Sequence, residues 1–422
     1  MKRIVIIGGG FAGINLAKKL ADEDAFSVLI VDRNNYTFFP PLLYQVATGF
    51  LEASSICYPY RKLFNASQKI AFRTGELAKI VPNENKVKLS TGELTYDVLV
   101  LATGTQTNYF GMENVKKSAM PMKTFEDALN LRNHFLQNLE KASITADPDE
   151  RRRLQTVVVA GAGPTGIEIS GMLAELKGSV IAREYPEIAK SGVGAKIYLV
   201  DGAQTVLAAM SERSQKYTLK SLSRMGIEVE LGRQVKDYLN NKVIFSDGPE
   251  IETETLVWAA GVAASAFEGI PPQWYGRGKR LIVDEYNKII GSPNIYAIGD
   301  TCFQPGDVHY PNGHPQMAQP AIQQGINLAK NLISIENSRA PKPFNYFDKG
   351  SMAIIGKYKA VVDMPKPRMH MNGFFAWFIW LFIHLLSLIN VRNKLRTFAN
   401  WVGTLATRDQ SLRFIIRPER KL

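Results

Sequence analysis

Residues 4–20 read IVIIGGGFAGINLAKKL, and the order of their parts sets the architecture. The β-branched run Ile4 to Ile7 favours a buried strand, Gly8, Gly10 and Gly13 follow in the spacing G-x-G-x-x-G, and the remainder has the rhythm of a helix. In such a unit the first glycine permits a tight turn, the second lets backbone approach a pyrophosphate, and the third lets the helix lie close on the sheet. The helix N-terminus, with its unpaired N–H groups, then faces the phosphates. The next apolar run, SVLIVD, ends at Asp32, nineteen residues past Gly13, where a carboxylate can accept from a ribose hydroxyl. A glycine-rich turn without a ligand could be written with the same letters, so recurrence of the pattern matters.

The pattern recurs. TVVVA (156–160) leads into GAGPTG, with Gly161, Gly163 and Gly166, and then the helical IEISGMLAEL. The following strand, KIYLVD, ends at Asp201, thirty-five residues past Gly166, which implies an insertion between helix and strand. A ribose-binding carboxylate at Asp201 would repel a 2′-phosphate and favour NADH over NADPH; a solvated strand-end acid is the plain alternative. Three further apolar runs, DVLVLATGT (97–105), ETLVWAAG (254–261) and NIYAIGD (294–300), each end in small residues that let backbone come close to a ligand or a helix. The expected fold class is α/β, with two Rossmann-like dinucleotide-binding domains, the second inserted in the first. The first domain is assigned residues 1–125 and 285–365, the second 126–284, and a membrane-binding segment 366–422. Thr124, ahead of FEDALNLRNHFLQNLEKA, is an N-cap candidate at the first boundary.

Composition excludes several classes. A 422-residue chain with 45% hydrophobic and 21% charged residues is ordinary globular material for two or three units. Its two cysteines, Cys57 and Cys302, cannot make a disulfide framework and point to a reducing compartment. Five histidines occur without the H-E-x-x-H spacing of a helix-borne metal site, and no metal is expected. MKRIVII is too short an apolar run for a signal-peptide core. The net charge of +12 says only that anionic surfaces attract the chain.

ATG at Ala102, Thr103 and Gly104, the second glycine fingerprint and the late AIGD together resemble flavoproteins that carry one fold for FAD and another for NAD(P)H. Longer stretches narrow this: NNYTFFPPLLYQVATG (34–49), GAGPTGIEISGML (161–173), WAAGV (258–262), AQPAIQQG (318–325) and FNYFDKGSMAIIGK (344–357) look like type II NADH:quinone oxidoreductases. The resemblance runs from residue 3 to about 415. Thr37 stands where that family often has histidine, and Pro40 where a polar residue is frequent.

The resemblance implies non-covalent FAD, NADH as substrate and a quinone as acceptor, without proton pumping. It implies that Asp300, after Gly299, contacts the FAD ribityl chain, and that Ala318 and Gln319 border the flavin. Gln319 and Gln323 match two glutamines beside the quinone path; four residues apart, they share a helix face, and amides can bond a quinone carbonyl or a quinol hydroxyl without a fixed charge. The resemblance places Glu168 near nicotinamide and flavin and Lys349 at a basic position near the flavin. Simple dipole stabilisation by Glu168 and a surface role for Lys349 are the bland alternatives. It further implies a peripheral enzyme on the cytoplasmic face of a bacterial plasma membrane, and it admits a homodimer.

The tail locates the charge. FFAWFIWLFIHLLSLI (374–389) would extend roughly 24 Å as a helix, short of a ~30 Å hydrocarbon core. Val391, Leu395, Phe398 and Val402 then mark one face of an amphipathic helix, and residues 391–422 carry eight Lys or Arg against Asp409 and Glu419. Trp377, Trp380 and Trp401 suit a water–lipid boundary. A membrane surface accounts for both charge and apolar density, whereas nucleic acid accounts for the charge alone. Three rivals remain: a sulfide:quinone oxidoreductase-like enzyme, which needs a cysteine pair that Cys57 and Cys302 do not obviously supply; a non-catalytic NADH-binding flavoprotein that signals through an anionic partner; and NADH reduction of a protein acceptor such as a ferredoxin, which leaves the apolar tail unexplained.

Overall fold

The computed structural model describes residues 1–192, 194, 196–407 and 413–416. They form two compact units, each assembled from three stretches of chain.

The first unit comprises Met1–Phe38, Tyr58–Gln106 and Val262–Asp348. Its centre is a five-stranded parallel sheet in the order Ile295–Ala297, Val98–Leu101, Lys2–Ile7, Phe26–Asp32, Ile70–Thr74. The first strand of the chain lies in the middle, with Ile4 level with Val28 on one side and Val98 on the other. Strand order reverses there, so the carboxyl end of Lys2–Ile7 is the crevice of the sheet. Ile4 to Ile7 are all buried, as parallel strands covered on both faces must be. Helices Phe11–Leu20 and Ala318–Glu336 pack on each other at very short range: a Cβ added at Gly325 would strike the Ala12 carbonyl oxygen.

The second unit comprises Phe39–Cys57, Thr107–Gly261 and Lys349–Leu422. It repeats the plan with a parallel sheet in the order Met120–Pro121, Thr255–Trp258, Val157–Ala160, Ile197–Asp201, Ile227–Leu231. Val157–Ala160 is buried at every residue, and helix Pro164–Leu176 follows its glycine turn. The insertion inferred from the spacing before Asp201 contains a π-helical turn, Lys177–Ile181, and two short helices, Ala182–Glu184 and Pro186–Lys190. Thr124 caps helix Phe125–Ile144 with a full capping box, its hydroxyl accepting from Asp127 N–H while the Asp127 carboxylate accepts from Thr124 N–H.

A three-stranded antiparallel sheet, Ser351–Gly356, Lys359–Pro365 and Arg368–Asn372, leads into helices Phe374–Ser387 and Val391–Thr407. These helices reverse the ordinary amphipathic arrangement. Phe375, Phe378, Phe382 and Leu386 on the first, and Val391, Leu395, Phe398 and Val402 on the second, are 47 to 75% exposed. The inward face instead carries Trp377, Trp380, Asn393, Thr397 and Trp401. Trp380 stacks on His384 at 3.7 Å, Trp401 Nε1 donates to Gln45 Oε1 at 2.8 Å, and Asn393 donates to the Cys57 carbonyl at 2.9 Å. Among the described residues no helix is long and apolar enough to cross a membrane. Asp409, Glu419 and the basic residues Arg408, Arg417, Arg420 and Lys421 lie outside the described residues.

Candidate active site

The two glycine turns have the same construction. Gly8 holds φ +106°, and a Cβ there would run into the Ala102 carbonyl oxygen; Gly161 holds φ +109°, and its Cβ would run into the Ala259 carbonyl oxygen. A Cβ on Gly13 would strike the Gly8 carbonyl oxygen, and one on Gly166 that of Gly161, so the third glycine lets each helix sit against its own turn. Gly10 and Gly163 have nothing within 4 Å of the missing Cβ: the middle glycine opens onto a cradle. Each cradle has a carboxylate beside it. Asp32 accepts from Gly9 N–H at 2.8 Å, and Asp201 accepts from Ala162 N–H at 2.5 Å. Despite unequal spacing in sequence, Asp32 and Asp201 occupy equivalent positions, because the extra residues before Asp201 leave the strand pairing intact. Burial raises the Asp32 carboxyl above its usual range, and the Gly9 and Asn34 N–H groups pull it back.

Helix starts differ in their capping. Helices Phe125–Ile144, Pro148–Gln155 and Glu212–Arg224 are capped by the side chains of Thr124, Asp147 and Ser211. Helices Phe11–Leu20, Pro164–Leu176 and Ala318–Glu336 have Gly10, Gly163 and Met317 at the N-cap, with no side-chain cap. Their first-turn N–H groups and dipoles are available to an anionic or electron-rich ligand.

In the first unit the crevice is finished by two small-residue turns. Thr103 and Thr301 share a hydroxyl hydrogen bond of 3.2 Å, Thr301 donates to the Gly104 carbonyl, and Thr105 donates to Asp300 Oδ2 at 3.3 Å. Gly299, at φ +71°, lies where a Cβ would press on the methyls of both Ala12 and Ala321, so it joins the starts of the two uncapped helices. Ala318 opens the later helix, and Gln319 is half-buried one residue on. These residues fit an FAD: an open pyrophosphate cradle at Gly10, a strand-end carboxylate and the half-buried Asp300 surround one crevice.

The glutamines divide unexpectedly. Gln323 commits both ends of its amide to Phe347, Nε2 donating to the carbonyl at 2.9 Å and Oε1 accepting from N–H at 3.0 Å. Gln324, absent from the sequence assignment, is buried and accepts from Gly299 N–H at 2.6 Å. Gln316 adds a donor to the Asp300 carbonyl at 3.1 Å, and Tyr60 donates to the Gly9 carbonyl at 2.8 Å. The signal for Gln324 was its phase: it falls with Pro320, Ala321, Gly325 and Leu328 on the inward face of the helix.

In the second unit Glu168 is 9% exposed. Burial pushes its carboxyl well above the usual carboxylate range, against the pull of a hydrogen bond from Ile354 N–H. Tyr44 and Glu175, also missed from sequence, are within electrostatic reach of one another in this unit. Lys349 is exposed just before strand Ser351–Gly356.

A family described as pyridine nucleotide-disulphide oxidoreductase matches residues 2–325, and one described as NDH2 C-terminal domain matches residues 349–409. Among curated proteins, type II NADH:quinone oxidoreductase NdhA of Mycobacterium tuberculosis is 36% identical over 417 residues, covering 94% of this chain and 86% of its own. The Ndh protein of the same organism, a type II NADH:quinone oxidoreductase, is 34% identical, with 97% and 89% covered. The fold is shared with NDH2 from Plasmodium falciparum, solved in complex with NADH, at TM-score 0.88 and 22% identity, covering 99% of this chain and 100% of that one. It is also shared, at TM-score 0.73 and 19% identity, with a sulfide:quinone oxidoreductase from Aquifex aeolicus, covering 97% of this chain and 96% of that one. The glycine cradle, built twice, belongs to a chain alike in sequence over nearly its whole length to enzymes of one kind, and this chain belongs to the type II NADH:quinone oxidoreductase family.

Proposed function

We propose that this chain is an NADH:quinone oxidoreductase that works on a lipid surface, with FAD in the Gly8–Gly13 cradle and NADH in the Gly161–Gly166 cradle. The observation that carries the reading is the second cradle, built like the first on a sheet of its own, because it gives one chain two dinucleotide sites. Bound FAD supplies the two-electron chemistry that links NADH to quinone. The chain supplies placement: Asp32 and Asp201 orient riboses, Gln324 and Gln316 fix the turn that carries Asp300, and Gln319 offers an amide to the quinone oxygen without a fixed charge. Gln323 acts one step back, by holding Phe347. Lys349 supplies a positive charge at the family's basic position, and Glu168 holds a proton for the quinone reaction. In this assignment residues 1–125 and 285–365 serve FAD, 126–284 serve NADH and 366–422 serve the membrane.

The outward apolar faces of Phe374–Ser387 and Val391–Thr407 support the lipid surface, with Arg392, Lys394 and Arg396 near anionic headgroups. The partners are the quinone pool, NADH and the lipid surface on the cytoplasmic face of a bacterial plasma membrane, with a homodimer as the assembly to test by sedimentation. Sulfide chemistry is disfavoured because burial pushes both thiols, Cys57 and Cys302, up to about 12 and keeps them protonated.

The experiment is NADH oxidation by FAD-loaded protein in liposomes, with a short-chain quinone or ferricyanide as acceptor and sulfide as an alternative donor. Quinone turnover that falls with Gln319→Leu, while ferricyanide turnover persists, is the expected result. Flavin reduction by sulfide but not by NADH would overturn the assignment of the second cradle.

A further inference from the structure

In dinucleotide-binding folds an acid at the end of the strand after the glycine helix takes the ribose hydroxyls of NADH, whereas an arginine nearby takes the 2′-phosphate of NADPH. This chain carries both, side by side. Asp201 ends strand Ile197–Asp201, and Arg233 follows the next strand of the parallel sheet, Ile227–Leu231, at the same carboxyl end. Their backbones are joined: Arg233 N–H donates to the Asp201 carbonyl at 3.0 Å, and Gly232 N–H to the Ala203 carbonyl at 2.9 Å. The direction in which the Arg233 guanidinium turns therefore decides whether a 2′-phosphate finds a cation at this corner.

It turns to other partners. Nε donates to both oxygens of Asp247, at 3.0 and 3.2 Å, Nη1 donates to Glu230, and Nη2 donates to the Pro249 carbonyl at 2.8 Å. The guanidinium also lies 4.0 Å from the centroid of the Phe245 ring. Every nitrogen of the fork thus has an acceptor, and its flat face has an aromatic ring. The Arg233 side chain is only 16% exposed, so these charges are screened less than those of a surface pair. The Asp201 carboxylate is held by backbone instead, accepting from Ala162 N–H and Ala203 N–H.

We propose that Arg233 is a latent ligand for a 2′-phosphate, and that Glu230 and Asp247 set the preference for NADH over NADPH by keeping it engaged. The proposal rests on the assignment of NADH to the second cradle and deepens it. To serve a 2′-phosphate the guanidinium would have to leave two carboxylates, the Pro249 carbonyl and the Phe245 ring for a single new acceptor group. It would also strand Glu230 and Asp247 beside an incoming anion. Asp201, Glu230 and Asp247 outnumber Arg233, so the four side chains together are negative and repel a phosphate. Asp201 supplies repulsion where the ribose is bound, and the clamp withholds the cation that would offset it. Of two opposed signals in one corner, the acid prevails because the arginine is already satisfied.

The test uses the full-length, FAD-loaded protein, with NADH or NADPH as donor and ferricyanide as acceptor, and calorimetry of adenosine 2′,5′-bisphosphate and of AMP as binding probes. In the unaltered chain Arg233→Met, which keeps an apolar stem over Phe245, should leave kcat/KM for NADPH within about twofold. Asp201→Asn provides the background for release. Adding Glu230→Gln and Asp247→Asn to it should raise kcat/KM for NADPH, through KM, and affinity for the bisphosphate by about tenfold or more, the worth of one charge-assisted hydrogen bond. AMP affinity should stay within about twofold of the background, and Arg233→Met in the released chain should abolish the gain. Asp247→Asn alone, at the more exposed of the two acids, is the milder release and should give part of the gain if the double change impairs folding. No gain in a folded released chain, a gain that survives Arg233→Met, or a loss of NADPH turnover on Arg233→Met in the unaltered chain each overturns the proposal. An unaltered chain that binds no AMP, with a KM for NADH unmoved by Asp201→Asn, overturns the assignment of the second cradle beneath it.

Discussion

The tail helices give a quantity to measure. Phe375, Phe378, Leu395 and Phe398 each leave more than half of their surface exposed, and all are spaced to face the same way on their own helices. Fully burying such a side chain is worth about 1.5–3 kcal/mol, so the exposed part of each contributes about 1–1.5 kcal/mol on entering lipid. Replacing all four with glutamine, which keeps helix propensity, should therefore weaken partitioning by about 4–6 kcal/mol, or about a thousand-fold or more. Flotation with zwitterionic vesicles measures this, free of the contribution of anionic headgroups. NADH:ferricyanide turnover of the same variant should survive in solution, because none of the four contributes to the inward face. If the fourfold variant floats within threefold of the unaltered protein while folded and active, lipid is not what covers this face, and a protein partner must be sought.

Gln324→Leu removes the acceptor of Gly299 N–H and strands a buried donor, at a cost of about 1–3 kcal/mol; FAD content after dialysis and the melting temperature should both fall. Gly171→Ala forces a Cβ against the Ile355 carbonyl oxygen and should destabilise the unit by several kcal/mol in urea unfolding, as overpacked cores do. Glu168 has a raised folded-state pKa, so above the ordinary carboxyl value of 4.5 the unfolded chain loses this proton first. Stability should therefore fall as pH rises from there through the folded value, and urea midpoints of Glu168→Gln should show a shallower fall over that range.

Much of the architecture was legible in short range. Strand, glycine turn and helix follow one another within some twenty residues at Ile4 and again at Val157, and both produced parallel sheets with the first strand of each motif in the interior. The exposed tail stripe was equally legible, since Val391, Leu395, Phe398 and Val402 keep helical phase. What escaped was partner choice across long separations. Glutamines at 319, 323 and 324 differ by only about 100° per residue around a helix, yet one clamps Phe347, another holds Gly299, and nothing local distinguishes them. The face of Gln324 could have been found from the small and apolar residues in phase with it. Tyr44 gave less: its place depends on a five-residue helix packing on one more than a hundred residues later.

The stacking of His384 on Trp380 has a consequence for the charge of the tail as conditions change. Burial pushes the imidazole down to about 4, even though its Nδ1 bond to the Trp380 carbonyl opposes that fall. His384 is the only ionisable side chain in helix Phe374–Ser387, so this helix stays uncharged through mild acid. A free imidazole would acquire charge near pH 6.5 and loosen its hold on an apolar phase. On the proposed lipid surface, acidification is therefore expected to leave this helix in place, and salt is the variable expected to tune attachment, by screening Arg392, Lys394 and Arg396.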